Sequence, residues 1–134
     1  MEIASFDDLL HAARAQPEPQ RLLFVFAGVE LPDDATPAQR ERFAAGQGGA
    51  LVPMMCVDKR PEEIASFQAL AEESGQFGHE WAMVFVAAMS GTLDKAPTSE
   101  EAEAPLQRMV DSIKQGAHSA FIPFNRQGEP VRFG

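Results

Sequence analysis

The sequence predicts an α/β fold: a single layered domain over residues 1–134 with a mixed, mainly parallel sheet of four or five strands flanked by helices. Three apolar runs, at residues 22–29, 51–57 and 81–89, each have the length of one strand. The run at 81–89 has no polar alternation, which is typical of a strand covered on both faces. Helical patterns separate the runs, so right-handed crossovers and a Rossmann-like variant are expected.

The first two helices are predicted from their start signals. Ser5 is an N-cap, and apolar residues at helical spacing continue the pattern to about Gln16. Thr36 and Gln39 form a capping box around a proline at the first helical position. The second helix has only Phe43 as a large anchor, so we expect it on the surface and weakly held.

The remaining elements follow the same reasoning. Pro61 opens a third helix, and the segment 98–101 offers a capping box for a fourth. Pro105 leaves two alternatives for that helix, a kink at the proline or a main body that starts there. Residues 121–124 and 129–133 predict a C-terminal β-hairpin, and their prolines place it at an edge of the sheet.

Charge and composition bear on the partners. The 134 residues carry a net charge of −9, which repels phosphate backbones and argues against nucleic-acid binding. The amino terminus has no apolar leader and no run reaches 18 apolar residues, so we expect a cytoplasmic protein without a membrane contact. Cys56 is the only cysteine, which excludes an intramolecular disulfide and a zinc site with two thiolates. Its apolar neighbours predict a buried, unreactive thiol.

Polar residues at the predicted strand ends form the one candidate site. In an open parallel sheet, ligands bind outside the carboxyl ends of the strands. The residues that follow the three predicted strands there are Glu30; Asp58, Lys59 and Arg60; and Ser90 and Thr92. Carboxylates, hydroxyls and two cations suit an anionic or metal-bound ligand, with the glycine-rich loop 46–49 as a lid. The alternative is that these residues are solvated loop caps.

Three segments, at residues 21–28, 48–59 and 120–124, carry a resemblance to a known family. The chain resembles short proteobacterial proteins that often bear the name ribonucleotide reductase subunit alpha, and the resemblance extends over essentially its whole length. The activity in that name requires a radical-bearing cysteine and a reducing cysteine pair. Because the chain has Cys56 alone, we expect no such reaction. Residues 124–131 also resemble the last two strands of thioredoxin-like domains, and this resemblance implies a thioredoxin-like variant as the alternative fold.

Two functional hypotheses remain open from the sequence. The first is a non-catalytic binding or protein-interaction domain, since no nucleophile, metal cluster or phosphate loop is recognisable. Its contact surfaces would be the edge hairpin and the helix after Thr36, with a homodimer as one alternative. The second is a small-ligand protein or enzyme that uses the strand-end residues. No catalytic residue, metal or cofactor is predicted.

Overall fold

The protein alternates helices and strands along its whole described length. The structure, a computed structural model, describes residues 4–30, 34–45, 50–75, 81–92, 94–115 and 121–131, and only the backbone of Val29, Glu30, Phe43 and Ala50. The elements are α1 (Phe6–Arg14), β1 (Gln20–Glu30), α2 (Pro37–Ala44), β2 (Ala50–Lys59), a short 3₁₀ helix (Pro61–Glu63), α3 (Phe67–Gly75), β3 (Met83–Ser90), α4 (Ser99–Lys114) and β4 (Ile122–Asn125).

The four strands form one sheet in the order β2-β1-β3-β4, and every neighbouring pair is antiparallel. The α/β character and the strand number agree with the sequence prediction, but the predicted mainly parallel sheet is wrong. β2 and β3 run in the same direction, yet β1 lies between them. The chain crosses over β1 through α3, so no two parallel strands are hydrogen-bonded neighbours.

The sheet carries an apolar core on each face, because its side chains alternate. Residues 22, 24 and 26 of β1 face α1 and α3, and residues 23, 25 and 27 face α4. The first core includes Phe6, Phe67, Trp81 and Phe124, and the second includes Leu106, Met109 and Ile113. Burial on both faces explains why β1 and β3 read as uninterrupted apolar runs.

Helix starts agree with their capping signals, with one exception. The Ser5 hydroxyl accepts from the Asp8 N–H, and Thr98 and Glu101 form the predicted reciprocal capping box. The exception is α3, which begins at Phe67 and not at Pro61, because residues 61–63 form a separate 3₁₀ turn. α4 runs continuously from Ser99 and contains Pro105 within it, so the helix does not restart at the proline.

The C-terminal hairpin is described as far as residue 131. β4 has four residues, and among the described residues the returning segment is connected to it by a bridge between Phe124 and Pro130 and by hydrogen bonds from Asn125 N–H to the Glu129 carbonyl oxygen and from Val131 N–H to the Pro123 carbonyl oxygen. Gly128 takes a φ of 81° in this turn, and its carbonyl oxygen accepts from the Phe6 N–H at 2.8 Å. The hairpin turn therefore holds the start of α1. Residues 132–134 lie outside the described part of the chain.

None of the helices in the described residues combines the length and the apolar character that a membrane crossing requires.

Candidate functional site

The antiparallel sheet separates the predicted strand-end residues. The backbone of Glu30 pairs with Ala50 at one end of the sheet, whereas Asp58 lies opposite Leu23 near the other end. The two positions are seven residue steps apart along β1, from Leu23 to Glu30, which corresponds to about 24 Å. Glu30 therefore does not join Asp58, Lys59 and Ser90 at one edge. The convergence expected from the sequence required a parallel sheet.

Asp58 has its carboxylate occupied by two partners. Arg21 Nη1 donates to Asp58 Oδ2 at 2.5 Å, and Ser99 Oγ lies 2.8 and 2.9 Å from the two carboxylate oxygens. Arg21 also donates through Nε to the Pro97 carbonyl oxygen at 2.6 Å. Because Ser99 is the first residue of α4, these bonds tie that helix to β1 and β2. We refer to Arg21, Asp58 and Ser99 as the α4 anchor.

The two cations that follow Asp58 also have partners. Lys59 Nζ lies 2.8 Å from Glu73 on α3, and Arg60 Nε lies 3.4 Å from Glu63 Oε1. The backbone N–H of Arg60 donates to the Glu63 carboxylate, which lowers the pKa of Glu63 below its ordinary value. The Arg60–Glu63 pair is half exposed, so its contribution to stability is small. Lys59 thus connects the end of β2 to α3, and Arg60 is bonded within the turn that follows β2.

Ser90 and Thr92 lie near the same end of the sheet as Asp58. Ser90 Oγ accepts from Gln20 Nε2 at 3.0 Å, and the Thr92 N–H donates to the Lys95 carbonyl oxygen at 2.9 Å. Gln20 is 6% exposed and is one of two buried polar residues in the described part of the chain. Neither Gln20 nor Arg21 was predicted as a site residue, although two polar residues at the start of an apolar strand indicate side chains that need polar partners.

Cys56 is exposed, so the prediction of a buried thiol is wrong. It belongs to β2, which is an edge strand, and its side chain is on the α4 face of the sheet, opposite Val25. An edge strand has a neighbour on one side only, and this leaves Cys56 open to solvent. The prediction of a strand around Cys56 is confirmed, but the burial inferred from its apolar neighbours is not.

β2 is the longer of the two sheet edges, with ten residues against four in β4. Residues 51–55 and 57 are half-buried apolar or proline side chains, and no residue from 50 to 57 carries a charge. Among the described residues, no strand pairs with the outer side of β2. The first half of β2 is protected against pairing with another strand, because Pro53 and the bulge at Met54 interrupt its regular edge. Residues 55–59 are regular.

The contact surfaces expected from the sequence have different characters. The described side chains of α2 from residue 38 to 42 are all exposed, which agrees with a weakly held surface helix. In the hairpin turn, the Arg126 guanidinium lies 5.0 Å from the centre of the Trp81 ring. Arg126 thus packs on the core as a cation–π partner. The glycine-rich loop 46–49, expected as a lid, and Phe133 lie outside the described residues.

The fold and its edges define a three-layer α/β protein built on an antiparallel four-stranded sheet. Comparisons of the chain with protein-family models, curated proteins and solved structures gave no match. In the part of the chain that the structure describes, no group of three or more His, Cys, Asp or Glu side chains is placed to hold a metal ion.

Proposed function

We propose that the protein is a non-catalytic interaction protein that associates through the open edge of β2, and that its partner there is a second copy of the chain. The observation that carries the proposal is the unpaired outer edge of the ten-residue strand β2, in which residues 50–57 carry no charge and residues 55–59 are regular. An open strand edge offers backbone donors and acceptors that another strand can pair with.

The distribution of charge supports a second copy as the partner. Two chains with a net charge of −9 repel each other, so self-association requires a surface from which charge is absent. Residues 50–57 provide such a surface, and the two charged residues that follow are already paired within the chain, Asp58 with Arg21 and Lys59 with Glu73. A two-fold symmetric contact needs only one self-complementary patch.

The regular segment 55–59 also defines a register. If two copies of this segment pair antiparallel over their full length, the two-fold axis passes at Val57, and Cys56 of one copy lies opposite Asp58 of the other. The bulge at Met54 and Pro53 prevent regular pairing further along β2. The two Cys56 side chains then lie on the same face as diagonal neighbours, about 7–8 Å apart.

Sedimentation velocity from micromolar to millimolar concentration tests the proposal. We expect a concentration-dependent dimer. Cys56→Glu places a carboxylate opposite the partner's Asp58 and should weaken the dimer roughly tenfold, since like charges directly opposite each other across strands are unfavourable. Cys56→Lys places an opposite charge there and should keep the dimer, and Cys56→Ser is the neutral control.

Chemical cross-linking at the single cysteine gives an independent readout. A short bis-maleimide should join two copies through Cys56 in the native protein and should not join them in unfolded protein at the same concentration. A monomer at millimolar concentration would overturn the proposal, and equal effects of Cys56→Glu and Cys56→Lys would overturn the register. The proposed location is the cytoplasm, where a reducing environment keeps the exposed thiol free.

A further inference from the structure

An apolar groove of about 260 Å³ lies between α1 and the β3–β4 side of the sheet. Its floor is formed by buried Leu22 and Val86, and its rim by Ala88, Ile122 and residues of α1. Ile122 is 37% exposed and is the large apolar side chain most open to solvent among the described residues. The residues that line the groove belong to α1, β1, β3 and β4 and the segment between α1 and β1, and none belongs to β2, so the groove is separate from the proposed dimer contact.

The course of α1 explains the groove. At its start, Phe6 is held by Gly128 in the turn after β4. At its end, Arg14 Nη2 donates to the carbonyl oxygens of Pro61 and Ile64, which follow β2. α1 therefore crosses the sheet from one edge to the other. Because it crosses obliquely, the corner where β3 ends is left without a covering helix in the described part of the chain.

Gln20 provides the polar group of the groove. Gln20 is one of the residues that line the groove, and it is 94% buried. The amide nitrogen Nε2 donates to the Glu18 carbonyl oxygen and to Ser90 Oγ, both at 3.0 Å. A carbonyl oxygen can only accept, so the Glu18 contact fixes which end of the amide is nitrogen.

The other end of that amide is an available acceptor. No described residue donates a hydrogen bond to Gln20 Oε1, and no buried side-chain oxygen or nitrogen in the described residues lacks both a partner and solvent. Gln20 Oε1 therefore has no donor among the described residues and keeps some contact with solvent. The groove thus combines apolar walls with one hydrogen-bond acceptor held in a fixed orientation.

We propose that this groove binds a small unbranched aliphatic molecule whose head group donates a hydrogen bond to Gln20 Oε1. If each non-hydrogen atom occupies about 30 Å³, which is the volume of one water molecule in the liquid, the groove accommodates roughly eight or nine such atoms. A hydroxyl or ammonium head can donate to Oε1. A carboxylate head cannot, and the net charge of −9 repels it.

A homologous series of primary alcohols tests the tail. Titrations from butanol to decanol are followed by the side-chain amide signal of Gln20 in ¹H–¹⁵N spectra of the full chain. Each added CH₂ should tighten binding about fourfold until the groove is filled near heptanol or octanol, and longer alcohols should gain nothing more. Affinity that rises without a limit, or a signal that never saturates, would overturn the proposal.

A matched set of head groups tests the acceptor. Heptanol and heptylammonium should both bind. Heptanoate should bind at least tenfold more weakly, because its carboxylate cannot donate the hydrogen bond to Gln20 Oε1. The ratio of the affinities for heptanol and heptylammonium shows whether the groove prefers a neutral or a cationic head group. Equal affinity for heptanoate would overturn the role of Gln20 Oε1.

Two substitutions locate the site. Ala88→Leu fills the groove from an exposed rim position and should weaken heptanol binding at least tenfold, whereas Ala82→Leu makes the same change at an exposed position outside the groove and should have no effect. Gln20→Met keeps the length of the side chain but removes the acceptor, so heptanol affinity should fall roughly two- to tenfold. If Gln20→Met does not fold, Ala88→Leu still tests the location of the site and the head-group series still tests the role of Gln20 Oε1.

Discussion

The Asp58 carboxylate and the Arg21 guanidinium form an ion pair in which only 15% and 13% of the side chains are exposed. The pair joins neighbouring strands β2 and β1, and through Ser99 it also holds the first turn of α4. Asp58 therefore has a structural role in this fold, whatever else binds near it. Substitution of Asp58 should therefore lower the stability of the protein even when no ligand is present.

Asp58→Ala should lower the free energy of unfolding by about 2–3 kcal/mol, because it leaves a largely buried guanidinium without its partner. The value is below that for a fully buried pair, since both side chains keep some contact with solvent. Urea denaturation followed by Trp81 fluorescence measures it. Asp94→Ala removes an exposed carboxylate with no hydrogen bond to a described residue and should change the stability by less than about 0.5 kcal/mol.

If Asp58 were instead a ligand residue without a structural role, Asp58→Ala would leave the unliganded protein as stable as Asp94→Ala does. Ser99→Ala provides a graded comparison. It removes one hydrogen bond to the carboxylate but keeps the ion pair, so it should cost about 1 kcal/mol.

Gly128→Ala should destabilise the protein by about 2 kcal/mol. The residue has a φ of 81°, which disfavours a side chain, and an added Cβ would lie 3.0 Å from the ring of buried Phe67. Gly75→Ala is the matched control, since a Cβ there meets nothing within 4 Å at the end of α3. It should be neutral or stabilising by up to about 1 kcal/mol. Thermal unfolding measures the stability of both variants. A Gly75→Ala variant that is less stable than Gly128→Ala would contradict the structure.

Ser74→Ala should lower the free energy of unfolding by about 1–2 kcal/mol. The Ser74 hydroxyl accepts from the buried Trp81 indole N–H at 2.7 Å, and its removal leaves that donor without a partner. The higher helix propensity of alanine offsets part of the loss. Trp81 is the only tryptophan, so its emission reports the change directly. Ser112→Ala in α4 is the control, and an equal effect in both variants would argue against the Ser74–Trp81 bond.

The apolar runs predicted the strands because they report burial on two faces, and they could not predict strand direction for the same reason. β3 is covered by helices on both faces, as expected from residues 81–89, and this holds equally for parallel and antiparallel neighbours. The sequence of the helix between β1 and β2 does carry information on strand direction. α2 has one large apolar residue, Phe43, so it cannot pack on the sheet as a crossover helix.

The candidate site was harder to predict because it depended on strand order. Asp58, Lys59 and Ser90 were correctly placed at strand ends, but their partners Arg21, Glu73 and Gln20 are 37, 14 and 70 residues away in the sequence. Cys56 was misplaced because an edge strand flanked by helices has the same apolar sequence as a central one. Local capping signals, such as Thr98 with Glu101, were predicted correctly because they need no information from distant residues.

Acid should weaken the start of α4 through Glu101. The backbone N–H of Thr98 donates to its carboxylate at 3.0 Å and lowers its pKa below the ordinary value of 4.5. Since folding lowers this pKa, the stabilisation is fully present above 4.5 and is lost as the pH falls through the lowered value. Glu101→Gln should therefore be less stable than the native chain at about pH 7, and the difference should shrink as the solution is acidified. Denaturation curves at several pH values measure this difference in stability.

Glu103→Gln is the control, because it removes an exposed carboxylate from the same helix without changing the cap. A similar pH-dependent difference in that variant would show that the effect does not come from the Thr98–Glu101 cap.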